Sequence, residues 1–576
     1  GPAITEETTK VLWERAVTVP ADHYAVVFVR VSDKVGNTCI YGSNGVIVEC
    51  TIPDTPTVKY SDVNYSDGIY TGNVTAVIKT SEILDEEHSV ASGLSSVKYT
   101  LYKDGKKVSD RYTNQEIYQD AYAQEGGALD ELLDTQSMVF EKEISIPAQD
   151  FNSNFVTIVV TAKDRAGNEI SNIQLTGDKD TDLQLLKENA IKIDTTKPEV
   201  SVSYDNNDAK NAKYFKALRT ATIAVKERNL KKENLKIRIQ RENENAFSEY
   251  TVETLNAQDG ITAKWISDSQ SQTDPAFFTD ERASIVEIRF EKDDHYKVDA
   301  SFTDQGGLAP ENGVVFSDKD RAPKDFVIDT KTPQITVAYT IGGNQASIRQ
   351  DKNARAYFNQ TVTASIRIEE HNFALKNAPV DSQVSLTTTK VPSGQKVTDY
   401  DAYLKKDASW SSITDERSAF LEFATDANYT FGFEYTDLAG NRAVYRPSYF
   451  TVDRTDPTGT IKVGEMGTWE KFVSKISFGL FERISQKITL TGDDYTSPVK
   501  SISYTTSDKK LTKKLVEEIR KWKKGTSLKK APNQQFIVYS RVEDQAGNVA
   551  YFSSDGIILD SKKPGYKNGG PSITIT

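Results

Sequence analysis

The chain has very little of the side chains that carry most redox, thiol and soft-metal chemistry: two cysteines, two methionines and four histidines in 576 residues. Cys39 and Cys50 both lie near the start, so no disulfide framework holds the chain as a whole. Counted back from the turn Gly42-Ser-Asn-Gly45, Cys39 falls opposite Val48, so a bond between the two needs a shifted register. His23, His88, His295 and His371 stand one to a segment, which leaves no local cluster of nitrogen and sulfur ligands. The sequence has no His-Glu-x-x-His, Cys-x-x-Cys, phosphate-binding glycine loop or Gly-x-Ser-x-Gly. No apolar run approaches the roughly 18 residues of a membrane-spanning helix, and no signal peptide opens the chain. Gly1-Pro2 reads as the scar of a removed tag, so targeting and anchoring segments are expected outside this piece. The net charge of −12 is spread without long single-sign blocks, which offers no footprint for nucleic acid and argues against anionic membrane surfaces.

What the chain does have is aromatics, with 27 tyrosines and 24 phenylalanines, alongside abundant threonine and valine. That bias favours strands. A chain of 576 residues is also far too long for one core.

One signature recurs: a strand, a turn Asp-x-x-Gly-Asn, a further strand, then an Asp and a Pro. The turn residues are Asp33, Gly36 and Asn37; Asp164, Gly167 and Asn168; Asp437, Gly440 and Asn441; and Asp544, Gly547 and Asn548. A decayed copy runs from Asp304 through Gly307 to Leu308. Successive turn aspartates lie 131, 140, 133 and 107 residues apart, the size of a domain rather than a solenoid unit. The aspartate can accept backbone N–H groups two residues on, and glycine supplies the positive φ that closes the turn. These aspartates read either as calcium ligands or catalytic acids, or as a hairpin between two late strands; the hairpin fits every copy.

Junctions of the form strand-Asp-x-x-x-Pro mark the boundaries, with Asp194 and Pro198, Asp329 and Pro333, Asp453 and Pro457, Asp560 and Pro564. They divide the chain into a partial module at 3–54, modules at 55–195, 196–331, 332–455 and 456–561, and a tail at 562–576 that supplies the first strand of another. Linkers this short, stiffened by proline, predict an elongated array. The modules at 196–331 and 332–455 are sister copies. Tyr214-Phe215 and Tyr357-Phe358 each stand 15 residues before Asn229 and Asn372 of a Glu-x-Asn motif. Trp265 and Trp410 follow, then Thr279–Arg282 and Thr414–Arg417, and Tyr296 and Tyr429 stand eight residues before their turn aspartates. Glu-x-Asn and Asp-Glu-Arg read as loop caps with a local ion pair.

The last module carries a predicted helix from Leu511 to Lys524, with Leu511, Leu515, Ile519 and Trp522 on one face. The second carries an insertion, 110–138, rich in tyrosine and expected to be helical. Tyr112, Tyr118 and Tyr122, with Leu129, Leu132 and Leu133, are its candidate partner-binding residues; the alternative is a lid that buries them on its own sandwich. Asp178, Asp180 and Asp182 have the opening spacing of a calcium loop, but Leu183 and Asn189 stand where such a loop needs Gly and Glu. A calcium site of oxygen ligands near Asp178, Asp180 and Asp182, completed by a neighbouring loop, is what remains of that reading; otherwise no cofactor is expected.

Taken together, a strand ending in Tyr, then Tyr-Phe, Glu-x-Asn-Phe, Asp-x-Ala-Gly-Asn and strand-Asp-Thr-x-x-Pro resemble the bacterial Ig-like (Big) repeat domains of large Gram-positive surface proteins. Module four carries the pattern most fully, through Tyr357, Phe358, Glu370, Asn372, Phe373, Asp437, Gly440 and Asn441. The resemblance implies an all-β tandem array of Ig-like antiparallel sandwiches, which the strand-and-turn pattern supports independently. It fixes no catalytic residues, so no enzyme is expected. The implied function is a monomeric extracellular adhesin that binds a host protein or glycoprotein. An immunoglobulin-binding, superantigen-like protein and a passive stalk for a terminal enzyme or lectin are the alternatives.

Overall fold

Strand alternation is what turns this sequence into sandwiches. In Val74–Glu82, residues Val74, Ala76, Ile78, Thr80 and Glu82 are buried while the residues between them are not, the period of a sheet with one face on a core. Arg219–Lys226, Val362–Glu369 and Thr458–Val463 repeat the pattern. The computed structural model describes residues 14–83, 90–120, 138–268, 283–373, 381–406 and 409–563. It divides into two units, 1–207, 219–292 and 296–325 in the first and 208–218, 293–295 and 326–576 in the second.

In the first unit, Phe28–Ser32 and Thr38–Gly42 form a hairpin through the turn at Asp33, and His23–Ala25 pairs with Val46–Val48. The next module packs the sheet Met138–Ile146, Val74–Glu82, Thr57–Tyr60 against one centred on Leu94–Lys103 and Ser153–Asp164. Between them lie Ile78, Leu101, Phe140, Phe151 and Ile158. The helix Lys179–Glu188 covers a second small cluster around Phe155 and Leu186. Module three stacks Ile261–Ser267, Ala283–Phe290, Arg219–Lys226 and Glu199–Tyr204 in one sheet, and pairs Lys236–Gln240 with residues 297–301 in another. Arg219 is fully buried there.

In the second unit, module four sets Gln334–Ile341, Val362–Glu369 and Glu416–Phe423 against Arg442–Val452, Ala427–Thr436 and Asp381–Thr389. Its core is aromatic: Phe423 meets Tyr400, Tyr429, Phe431 and Phe450 at ring-centroid distances of 4.7, 5.1, 5.3 and 5.0 Å. Truncating such a ring costs about 3–5 kcal/mol. Module five repeats the plan with Thr458–Val463 and Gln486–Asp493 against Gln534–Asp544 and Val499–Ser507. Tyr296 and Tyr429 are wholly buried, and each donates its hydroxyl to the carbonyl four residues upstream, Lys292 at 3.0 Å and Thr425 at 2.6 Å. That is the tyrosine corner of Ig-type sandwiches.

Four expectations need correction. The sheets are not purely antiparallel: Ile69–Tyr70, Tyr214–Phe215, Ala356–Phe358 and Leu480–Glu482 each pair parallel with the strand that closes their module. The helix Leu511–Lys524 shrinks to Lys513–Glu517, because Lys523–Lys524 pairs with Ser503 and Tyr504 as a strand. Val516 is buried where Leu515 was expected, and Leu515 is exposed; Leu511, Ile519 and Trp522 do pack on the Val516 cluster. The insertion opens with a short 3-10 turn, Asp110–Tyr112, and the strand Gln115–Gln119, so Tyr118 lies on a strand paired with Leu94–Lys103 rather than on a helix. Finally, Cys39 sits opposite Val31, since Thr38–Gly42 folds back on Phe28–Ser32, and both cysteines are free and exposed.

Candidate metal centres at the module ends

Three sequence features read separately as boundary, loop cap and turn converge in space. The boundary acid is fixed by the parallel pairing. Once the Tyr-Phe pair, or Ile69-Tyr70 in module two, docks beside the closing strand, the N–H of the next residue has a carbonyl to reach. Asp194 donates to Tyr70 at 2.8 Å, Asp329 to Phe215 at 2.9 Å and Asp453 to Phe358 at 2.9 Å. This is the structural use of the Tyr-Phe step.

The Asp-x-x-Gly-Asn turn closes as expected, with all five glycines at positive φ between 92° and 102°. In the buried copies the aspartate Oδ1 accepts the glycine and asparagine N–H groups, three and four residues on: 2.6 and 2.8 Å at Asp164, 2.7 and 2.8 Å at Asp437, 2.6 and 2.9 Å at Asp544. Only the exposed Asp33 accepts from two residues on, Val35 at 3.0 Å, together with Asn37. The asparagine amide then does two jobs. It donates to the Oδ2 of its own turn aspartate, and it reaches the backbone carbonyl of the preceding boundary acid. That second bond runs from Asn168 to Glu49 at 3.4 Å, Asn441 to Asp329 at 2.8 Å and Asn548 to Asp453 at 2.8 Å.

The Glu-x-Asn motif supplies the third carboxylate. Glu227 and Glu370 each accept the N–H of the asparagine two residues on at 2.6 Å. The amides of Asn229 and Asn372 donate to the carboxylates of Asp194 and Asp329. Glu82 holds the corresponding place in module two, as the last inward residue of its strand, and Asp494 does so in module five, where it accepts the Thr496 and Ser497 N–H groups at 2.9 and 2.8 Å.

The result is four triads: Glu49, Glu82 and Asp164; Asp194, Glu227 and Asp304; Asp329, Glu370 and Asp437; Asp453, Asp494 and Asp544. In each, one carboxylate oxygen per residue lies within 4.8 Å of the others, and every member is buried except the half-buried Asp494. Burial, and then the neighbouring carboxylates, push Glu82 up to about 8 and Glu370 up to about 7; burial does most to bring Asp494 to about 6. Burial also raises Asp164, Asp304 and Asp437. Among the described residues, only the Asp194 triad has an ion pair to a basic side chain, from Arg228 to Asp194 at 2.6 Å. Three triads contain a buried carboxylate oxygen that accepts no hydrogen bond: Glu82 Oε2, Asp304 Oδ2 and Asp453 Oδ2. An all-oxygen, multiply anionic set of this kind suits a hard divalent cation, not zinc or copper.

The other candidates are placed differently. Asp33, Gly36 and Asn37 form an exposed turn outside the triads. Asp178 caps the helix Lys179–Glu188 by accepting the Thr181 N–H at 3.0 Å, and Asp182 accepts the Thr176 and Gly177 N–H groups, so these carboxylates are committed to capping. Asp180 lies in that helix's first turn. Tyr112 is buried edge-on against Phe151 and donates to Asp150; Tyr118 packs on Phe140. Tyr122, Leu129, Leu132 and Leu133 lie outside the described residues, as do Thr279–Arg282. Arg417 caps the Ile413 and Glu416 carbonyls at 2.9 Å each, and Glu416 pairs with Arg367 at 2.7 Å, the local role expected of that motif.

No family model matches this chain, and no curated protein matches it. Among solved structures, it is similar to fibronectin(III)-like modules of CbhA from Clostridium thermocellum, at 10% identity and a TM-score of 0.17 over 41% of this chain and 100% of that one. It is also similar to a Ca2+-stabilized adhesin that helps an Antarctic bacterium bind ice, at 14% identity and a TM-score of 0.22 over 88% and 100%. A Salmonella alpha-2-macroglobulin matches at 7% identity and a TM-score of 0.12 over 93% and 33%. No helix among the described residues is long and apolar enough to cross a membrane.

Proposed function

We propose that the chain is the exposed part of a bacterial cell-surface protein of adhesin type, in which serial Ig-like sandwiches of the Big kind present a binding surface to a host macromolecule. The observation that carries this reading is that one joint, built from boundary acid, strand-end acid and the aspartate of an Asp-x-x-Gly turn, is made four times over. A sequence that keeps rebuilding its joints while its cores vary is organised to hold modules in series. That is the need of a protein that reaches and presents.

A specific observation favours a second reading, the passive stalk. Tyr112 and Tyr118 face their own core, so two of the residues suited to a partner are already in use. Retention assays on the immobilised chain separate the readings. Capture of a serum protein or a mucin supports the adhesin, and capture of immunoglobulin alone supports its superantigen-like form. Capture of neither leaves the stalk.

A further inference from the structure

We propose that the four acidic triads are calcium sites, each tying the strand or loop that ends one module to the loops of the next. The claim is independent of what the modules bind. Two observations carry it. The first is electrostatic: three buried carboxylates within 4.8 Å bring up to three negative charges into a poorly solvated site, and in three triads no described Lys or Arg pairs with them. Unpaired buried charge of this size is untenable without protons or a cation.

The second is the set of orphaned oxygens. Asp453 is 0% exposed, Asp304 1% and Glu82 6%, yet each keeps one carboxylate oxygen with no hydrogen-bond donor. Their partner oxygens are well served: Asp304 Oδ1 by Leu308 N–H at 2.7 Å, Asp453 Oδ1 by the Thr455 hydroxyl at 2.7 Å, Glu82 Oε1 by Ser92 N–H at 3.1 Å. Neighbouring N–H and O–H groups thus hold one oxygen of each of these three carboxylates and leave the other buried without a donor. Bare buried acceptors are rare and call for an unseen partner.

Calcium fits better than magnesium. Calcium–oxygen distances of about 2.4 Å let two ligands on opposite sides of one ion stand about 4.8 Å apart, and calcium accepts irregular shells of carboxylate and carbonyl oxygen. Magnesium needs a tighter octahedron and sheds its waters reluctantly. Each triad offers one carboxylate oxygen per residue, three in all, so carbonyl oxygen or water must complete calcium's shell of six to eight. The Asp194 triad should fill last, because Arg228 already neutralises Asp194.

The test titrates calcium chloride into the chelator-treated full chain by calorimetry, with melting followed in parallel. Four ions per chain are expected, with a rise in melting temperature of at least about 5 °C at millimolar calcium and a smaller rise with magnesium. Glu370→Gln should take up three ions. It should melt no lower than the parent in chelator, because it removes a buried charge, yet lower than the parent in calcium. Asp178→Asn, at a capping carboxylate, should still take up four. No uptake by the parent, four ions in Glu370→Gln, or a lost ion in Asp178→Asn would each overturn the assignment.

Discussion

Asn441 divides its side-chain amide between two modules, donating to its own turn at Asp437 Oδ2 (2.9 Å) and to the backbone carbonyl of Asp329 (2.8 Å). Asn168 and Asn548 repeat the arrangement. The asparagine of the recurring turn is therefore a tie between modules as well as part of a hairpin. Asn441→Ala loses both bonds, one of them to a carboxylate, and should destabilise the transition that contains module four by about 2 kcal/mol. Calorimetry on the whole chain resolves this as a shift of one transition, since a chain of several modules does not melt as a single two-state unit.

Module three supplies the converse experiment. Leu308 occupies the asparagine position, and its N–H meets Asp304 Oδ1 at 2.7 Å as the asparagines do in their own turns. What is missing is the amide for Asp304 Oδ2, which has no donor. Arg228 provides another tie to the preceding module, through the Ile193 carbonyl and the Asp194 carboxylate. In chelator, Leu308→Asn should therefore stabilise by about 1 kcal/mol without disturbing Arg228. An unchanged or lowered melting temperature would show that the turn cannot use the amide.

Arg219 is the largest fully buried side chain among the described residues. Its guanidinium lies 4.0 Å from the centroid of the Tyr204 ring and donates to the carbonyls of Asn206, Arg321 and Ala322 at 2.9, 2.5 and 3.0 Å. Burial lowers its pKa to about 10, so it stays charged at neutral pH. Arg219→Met keeps the volume but strands three carbonyls, and should cost about 3 kcal/mol or more. Arg219→Lys should recover little of that, because an ammonium cannot reproduce the planar fork. Denaturant unfolding of both variants checks the ordering.

Much of the fold was legible because its signals are local. Gly440 closes a turn, Asp329 ends a strand before Pro333, and Val362–Glu369 alternates; each is visible within ten residues of sequence. The triads were not legible, because Asp329, Glu370 and Asp437 are far apart in sequence and each had a sufficient local explanation. Glu82 and Asp494 lack the Glu-x-Asn pattern altogether, so no motif joined them to Glu227 and Glu370. One signal was present: an acid at all three points in every full module, although turns and caps alone tolerate asparagine or serine. The helix at Leu511–Lys524 failed for a related reason. Its apolar spacing is real, but Lys523–Lys524 is claimed by the edge of a sheet that helix periodicity cannot reveal.

The thiols offer a simple check on module one. Cys39 and Cys50 are exposed and unbonded, so both should react with a maleimide in the native state and at similar rates. An intact mass two hydrogens short, or protection of Cys39 until unfolding, would contradict the hairpin that sets Cys39 opposite Val31.

Glu82 is raised from 4.5 to about 8 and Glu370 from 4.5 to about 7, in both cases by burial first and neighbouring carboxylates second. An acid whose folded value is raised holds its proton in the folded state over a range in which the unfolded chain has released it. Below about pH 4.5 both states are protonated and these groups contribute nothing to the pH dependence. Between 4.5 and about 8 the folded state binds more protons than the unfolded one, so these groups make stability fall as pH rises, and the loss is complete above the folded values. Chelated protein should therefore melt at progressively lower temperature from pH 5 to pH 8, the reverse of the trend set by salt-bridged carboxylates. A cation bound at the triads favours the ionised forms and removes the decline. Melting curves across that range, with and without millimolar calcium, should diverge as pH rises; parallel curves would mean that no cation answers the triads' charge.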